Sequence, residues 1–131
     1  MLFRSPTRSV TPVRYLTLED LLTLVDDLRV GPVRDVGLLE SAAHRPTTTL
    51  WGADAYDGLD LKAAALLESI VRNHTLLDGN KRLGWLAVVV FLGLNGVDLD
   101  APDDEAYDLV IAVATGQMPL ENAAEALSSW H

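Results

Sequence analysis

LDLKAAALLESIVRNHTLLDGNKRLGWLAVVVFLGLNG, residues 59–96, sets two apolar stretches on either side of a short polar one. In the first, Leu61, Ala64, Ala65, Leu67, Ile70 and Val71 recur at helical spacing, which predicts a helix over about residues 59–72. The second is apolar nearly all round from Leu83 and stops at Asn95-Gly96, a helix-ending pair. Such a helix belongs at the centre of a fold, with Trp85 in the core. It is too short to span a bilayer, which takes about 20 residues. Toward the C-terminus, Asp103, Asp104 and Glu105 after Pro102 supply an N-cap and first-turn charge for a helix over about 105–114, and Pro119 opens a last one over about 120–127. Toward the N-terminus, Thr17 with Asp20 three residues on caps a leucine-rich helix that Gly31-Pro32 stops. A short helix over about 37–44 ends before Pro46. Residues 46–58 (PTTTLWGADAYDG) suit an exposed loop or small hairpin. Strand patterns are otherwise scarce. The expected fold is all-α: a compact bundle of about six helices around the 81–94 helix, carrying a small flap.

Composition narrows the function. A length of 131 residues argues for one domain, with residues 1–13 read as a loosely ordered extension and 14–131 as the folded unit. No cysteine is present, which removes disulfides, thiolate zinc sites and cysteine nucleophiles. A hydrophobic fraction of 49% excludes disorder as the main state. Nineteen acidic against 10 basic side chains give a net charge of −9, unfavourable to a groove that tracks a phosphate backbone, so no direct nucleic-acid partner is expected. No membrane segment and no secretory signal are recognisable, and the cytoplasm is the expected compartment. Arg82 is the last Lys or Arg; the formal charges after it are all acidic.

The polar joint, His74-Thr75-Leu76-Leu77-Asp78-Gly79-Asn80-Lys81-Arg82, concentrates the chemistry. A helix starting near Asn80 presents unpaired N–H groups and a positive dipole end, an anion site. Gly79 allows close backbone approach, and Lys81 and Arg82 add full positive charge that opposes the helix dipole unless an anion binds. Asp78 offers a hard oxygen ligand of the kind Mg²⁺ on phosphates uses; read alone, it is simply an N-cap. His74 has a side chain suited to general-base work near neutral pH. Base, metal ligand and phosphate cradle together describe a nucleotide-dependent transfer site.

The nine residues resemble the H-x-F-x-[DN]-[AG]-N-K-R signature of death-on-curing (Doc) toxins in the Fic/Doc superfamily. The likeness extends to Tyr15-Leu16-Thr17, to Gly37-Leu38-Leu39-Glu40-Ser41-Ala42 ahead of Arg45-Pro46, to the Lys62–Leu66 run, and to Phe91–Gly96. It covers about residues 14–128. Leu76 stands where the family has Phe, a smaller apolar anchor, and Thr75 where many Fic proteins have Pro. The resemblance implies a Fic fold in which His74 deprotonates a target hydroxyl, Asp78 holds Mg²⁺, Gly79 and Asn80 shape the anion hole, and Lys81 and Arg82 grip the phosphates of ATP. Lys81, where adenylyl-transferring relatives have Gly, implies the Doc branch: transfer of the γ-phosphoryl group to a threonine of elongation factor Tu. It also places the 46–58 stretch where the family carries a flap that docks the target, although a plain surface connection accounts for its composition equally well. The superfamily's autoinhibitory [ST]-x-x-x-E-[GN] motif is absent, Gln117–Asn122 (QMPLEN) missing it by one residue, so silencing is expected from a separate Phd-like antitoxin.

Other readings compete. Nucleotidyl (AMP or UMP) transfer belongs to the same superfamily, and a catalytically weak antitoxin-binding module would keep the fold without the chemistry. A metal-dependent ribonuclease is disfavoured by the acidic surface and by the single carboxylate near His74. Arg45 before Pro46 reads equally as a helix-end residue or a ligand contact, and Trp51 and Tyr56 equally as contact residues or a satellite apolar cluster.

Overall fold

The computed structural model describes residues 12–131, so most of the expected N-terminal extension lies outside the described residues. Six α-helices are found among them: α1 (Leu18–Leu28), α2 (Val36–His44), α3 (Leu59–Arg72), α4 (Asn80–Leu94), α5 (Asp103–Ala114) and α6 (Leu120–Ser128). A 3₁₀ turn, Arg45–Thr47, leads from α2 into an antiparallel hairpin of β1 (Thr49–Leu50) and β2 (Ala53–Asp54), in which Thr49 faces Asp54 and Leu50 faces Ala53. The all-α expectation holds, and the 46–58 flap is a hairpin.

Local chemistry sets most of the boundaries. Thr17 Oγ1 accepts from the Asp20 N–H (3.1 Å), the N-cap expected for α1, and Asp20 Oδ2 accepts from the Thr17 N–H (2.9 Å), which completes a reciprocal box. That helix closes on Arg29, left-handed at φ 56°, before Gly31-Pro32 is reached. Asp35 caps α2, its Oδ1 accepting from the Leu38 N–H at 3.1 Å. At α5 the expected cap is corrected: Asp103 lies inside the helix, the N-cap is Pro102, and no side chain caps the first turn. Asp103, Asp104 and Glu105 therefore act there through the helix dipole.

The centre of the bundle is α3 more than α4. It packs against α2, α4, α5 and α6, and its residues from Lys62 to Val71 are buried apart from Glu68. A run of alanines, Ala63 to Ala65, keeps this helix slim. Gly84 on α4 lets the two axes approach, since a Cβ there would lie 2.8 Å from Val71 Cγ1 and 2.9 Å from Leu67 Cδ1. The apolar character of α4 is shared between two faces. Leu83, Ala87, Val88, Phe91 and Leu92 enter the core, whereas Trp85, Leu86 and Val89 are half-buried and line a groove against α5. Trp85 is thus a wall of that groove, set edge-on to Trp130 with ring centroids 6.3 Å apart. At the far end of α4 the Asn95 side chain bonds both the N–H and the carbonyl of Arg14, at 2.8 and 2.9 Å. No helix among the described residues is long and apolar enough to cross a membrane.

Replacing Thr17 by Ala removes one side of the α1 box. Thermal unfolding of Thr17→Ala should show a loss of about 1 kcal/mol, a melting point lower by a few degrees, with no change in helix content.

Candidate active site

The loop between α3 and α4 is clamped along its backbone. Residues 31–35, which join α1 to α2, run antiparallel to it: the Gly31 N–H donates to the Asp78 carbonyl (2.9 Å) and the Leu77 N–H to the Pro32 carbonyl (3.0 Å). Arg34 and Asp35 both donate backbone N–H groups to the Thr75 carbonyl (2.9 and 3.3 Å), and Val33 bridges Leu76. The loop is thus tied to a segment some forty residues earlier in the chain, as Arg34 is to His74.

Asn80 ties the same loop from inside. Its Oδ1 accepts from the Leu76 N–H (2.8 Å) and the Thr75 hydroxyl (3.1 Å), and its Nδ2 donates to the Leu76 carbonyl (2.9 Å). The Asn80 side chain is therefore occupied with holding the loop, and whatever it contributes to an anion hole comes from its N–H. Thr75, in the position of the family's Pro, adds one of these bonds. Leu76 is 1% exposed, so the smaller anchor is nevertheless seated in the core. Gly79 precedes α4 at φ 92°, and a Cβ on it would overlap Val30.

What this scaffold presents outward is the rest of the motif. His74 is exposed and left-handed, φ 49°. Asp78 is exposed; Gly79, not Asp78, is the N-cap of α4, and no side chain caps that first turn. The first helical bond there runs from the Leu83 N–H to the Gly79 carbonyl, leaving the preceding N–H groups unpaired by the helix itself. Lys81 and Arg82 are exposed on that turn and form no ion pair among the described residues. Six sequence-predicted residues, His74, Asp78, Gly79, Asn80, Lys81 and Arg82, thus share one loop and helix start, with uncapped amides, two unpaired cations and one uncommitted carboxylate.

The Fic/DOC family model matches residues 15–92, from ahead of α1 to near the end of α4, with the whole loop inside the match. The chain belongs to the Fic/DOC family. It is 48% identical over 120 residues to "Toxin Doc" of Mycolicibacterium smegmatis, the alignment covering 88% of this chain and 92% of that protein. It is 29% identical over 121 residues to "Protein kinase doc" of Escherichia phage P1, covering 88% and 94%.

The hairpin of this Fic/DOC chain is fastened by two cations on which motif reading is silent or undecided. Lys62 on α3, 1% exposed, pairs with Asp54 Oδ2 at 2.9 Å and also donates to the Tyr56 carbonyl. Its signal was legible: Lys62 lies one turn before Leu66 and two before Ile70 and Ser69, a charge on a buried face. Arg45 donates to the Tyr56 hydroxyl (2.9 Å), to Glu68 Oε1 (2.8 Å) and to Ser69 Oγ (3.1 Å). Burial works against that charge, but the bonds to Tyr56 and Glu68 outweigh it and hold its pKa above the ordinary value. Arg45 therefore ties the hairpin to α3, with Tyr56 and Glu68 as its partners. Trp51, by contrast, stands wholly exposed at the hairpin turn, at φ 55°.

A donor set of three or more carboxylate, His or Cys side chains is absent among the described residues. Asp78 alone fits a Mg²⁺ that arrives with a nucleotide, because such an ion takes one or two protein carboxylates and completes its shell with phosphate oxygens and water.

Asn80→Ala should destabilise the fold by roughly 1–3 kcal/mol, since the buried Leu76 N–H and carbonyl lose their partners. Urea unfolding measures the loss, and faster amide exchange at Leu76 than elsewhere in the core should locate it.

Proposed function

We propose that this chain is the toxin of a type II toxin–antitoxin system that transfers the γ-phosphoryl group of ATP to a threonine hydroxyl of a translation factor resembling elongation factor Tu, and so arrests growth in the cytoplasm. The observation that carries the reading is the juxtaposition, on one clamped loop, of an exposed imidazole with an uncapped helix start bearing two unpaired cations. Unpaired cations opposing a helix dipole are costly without an anion, and a nucleotide polyphosphate fits both charge and amides. The name of one relative, a protein kinase, supports the same reaction class, and that of the other, a toxin, supports the biological role.

The chemistry follows from placement and electrostatics. Lys81, Arg82 and the first-turn amides of α4 hold the phosphates and offset charge on the equatorial oxygens. His74 takes the proton of the acceptor hydroxyl as its oxygen bonds to the γ-phosphorus. The bond from that phosphorus to the bridging oxygen breaks, ADP leaves, and the proton passes from the imidazole to solvent. Asp78 would hold a Mg²⁺ arriving with the nucleotide, which would add further charge neutralisation. Lys81, a long cation where Gly would leave room for an α-phosphate, favours γ-phosphoryl over AMP transfer. The hairpin, whose preceding residue Thr48 lines one depression with Asn73 at the start of the loop, is where an extended target segment would add its backbone.

The partner that silences the toxin is a separate Phd-like antitoxin. The half-buried face of α4 gives a reason to expect one: Leu28, Trp85, Leu86, Val89, Val110 and Ile111 line a groove of about 570 Å³, with Lys81 and Arg82 on its border. An amphipathic helix fits such a groove.

Incubation of the purified protein with cell lysate and Mg²⁺ and ATP labelled at either the α or the γ position tests the assignment. Label should pass to protein from γ only. His74→Ala should lower transfer by about 10²–10⁴-fold and relieve growth arrest with the fold intact. Transfer from α alone would convert the assignment to nucleotidylation, and no transfer from either position would leave a binding module.

A further inference from the structure

Arg34 lies outside the motif, in the segment between α1 and α2, and reaches the loop with both backbone and side chain. Its Nε donates to the His74 carbonyl at 2.7 Å and its Nη2 to the Asn73 carbonyl at 3.0 Å. Both acceptors sit at the carboxyl end of α3, where a helix leaves carbonyls unpaired and its dipole favours a cation. Arg34 forms no ion pair among the described residues, so its charge is directed at these two oxygens.

The two carbonyls belong to the peptide planes on either side of the His74 Cα. Fixing both planes fixes φ and ψ of His74, and with them the direction of its Cα–Cβ bond. The conformation so fixed, φ 49°, is one that a residue with a Cβ seldom adopts unaided. The following carbonyl, of Thr75, is held by the N–H groups of Arg34 and Asp35 at 2.9 and 3.3 Å, which extends the restraint by one more plane. A planar guanidinium can hold two neighbouring carbonyls at once in a set geometry; an ammonium on a flexible stem cannot.

We infer that Arg34 is a positioning residue for His74: its forked bond to the carbonyls of Asn73 and His74 holds the left-handed backbone that aims the imidazole. This rests on the transfer reading for its effect on rate, and on geometry alone for its effect on His74.

The test uses the full chain as wild type, Arg34→Ala and Arg34→Lys, with two readouts. The first is the rate of γ-label transfer into lysate protein as MgATP is varied. Arg34→Ala should lower the apparent kcat on the order of 100-fold while KM for ATP stays within about 3-fold, because the phosphate cradle is untouched and only the base is misaimed. Arg34→Lys keeps the charge but not the fork, and should behave closer to Arg34→Ala than to wild type. The second readout is the His74 backbone, from its three-bond HN–Hα coupling and Cα and Cβ shifts: positive φ in wild type, and a mixture in both variants whose spectra remain otherwise dispersed and superimposable. An unchanged His74 φ in Arg34→Ala, or an Arg34→Lys variant equal to wild type in both readouts, would overturn the inference. If wild type itself shows no His74-dependent transfer, the transfer reading falls, and the backbone readout decides the role of Arg34 by itself.

Discussion

The antiparallel pairing of residues 31–35 with the α3–α4 loop is the constraint on which the rest depends. Without it, the loop would be a polar connection between two apolar helices, free to sample many conformations. With it, the carbonyls or amides of Thr75, Leu77 and Asp78 are each committed to the earlier segment, while Leu76 is buried and bonded to Asn80. Loops that carry function are usually positioned by a rigid scaffold. Here the scaffold is a second loop, made rigid by the caps on either side of it: Arg29 closing α1 and Asp35 opening α2. Gly79 belongs to the same arrangement, because its missing Cβ is the space that Val30 fills.

The arrangement separates two tasks. Asn80, Thr75 and Leu76 face inward and hold shape; His74, Asp78, Lys81 and Arg82 face outward and are uncommitted. Such a division suits a reaction whose protein contribution is largely positioning and charge. It also explains why an exposed His in an uncommon backbone conformation is tolerated: neighbouring bonds over-determine the loop around it. The hairpin follows the same logic at a second site, where Lys62 and Arg45 fasten its base to α3 and leave the turn with Trp51 outside.

Much of this was legible in the sequence because it is local. The ends of α3 and α4 follow from apolar periodicity and from Gly79 and Asn95-Gly96, and the Thr17 box from residues three apart. The motif residues are consecutive, so their grouping needed no fold. What escaped is long-range or two-faced. The partnership of Arg34 with Asn73 and His74 joins residues about forty positions apart, which no periodicity encodes. The inward role of the Asn80 side chain depends on loop geometry. An apolar circumference on α4 suggests full burial, whereas Trp85, Leu86 and Val89 line a groove, since hydropathy does not say which neighbour covers a face. The α5 cap differs for a smaller reason: three consecutive acids offer three starting points, and the backbone begins the helix at Asp103 with Pro102 as its N-cap.

A crystal structure with Mg²⁺ and a non-hydrolysable ATP analogue tests the central claim most directly. The account predicts the triphosphate against the first-turn amides of α4, Lys81 and Arg82 on its oxygens, and the terminal phosphate facing His74. A triphosphate bound away from the start of α4, or an imidazole turned from it in the complex, would contradict the account.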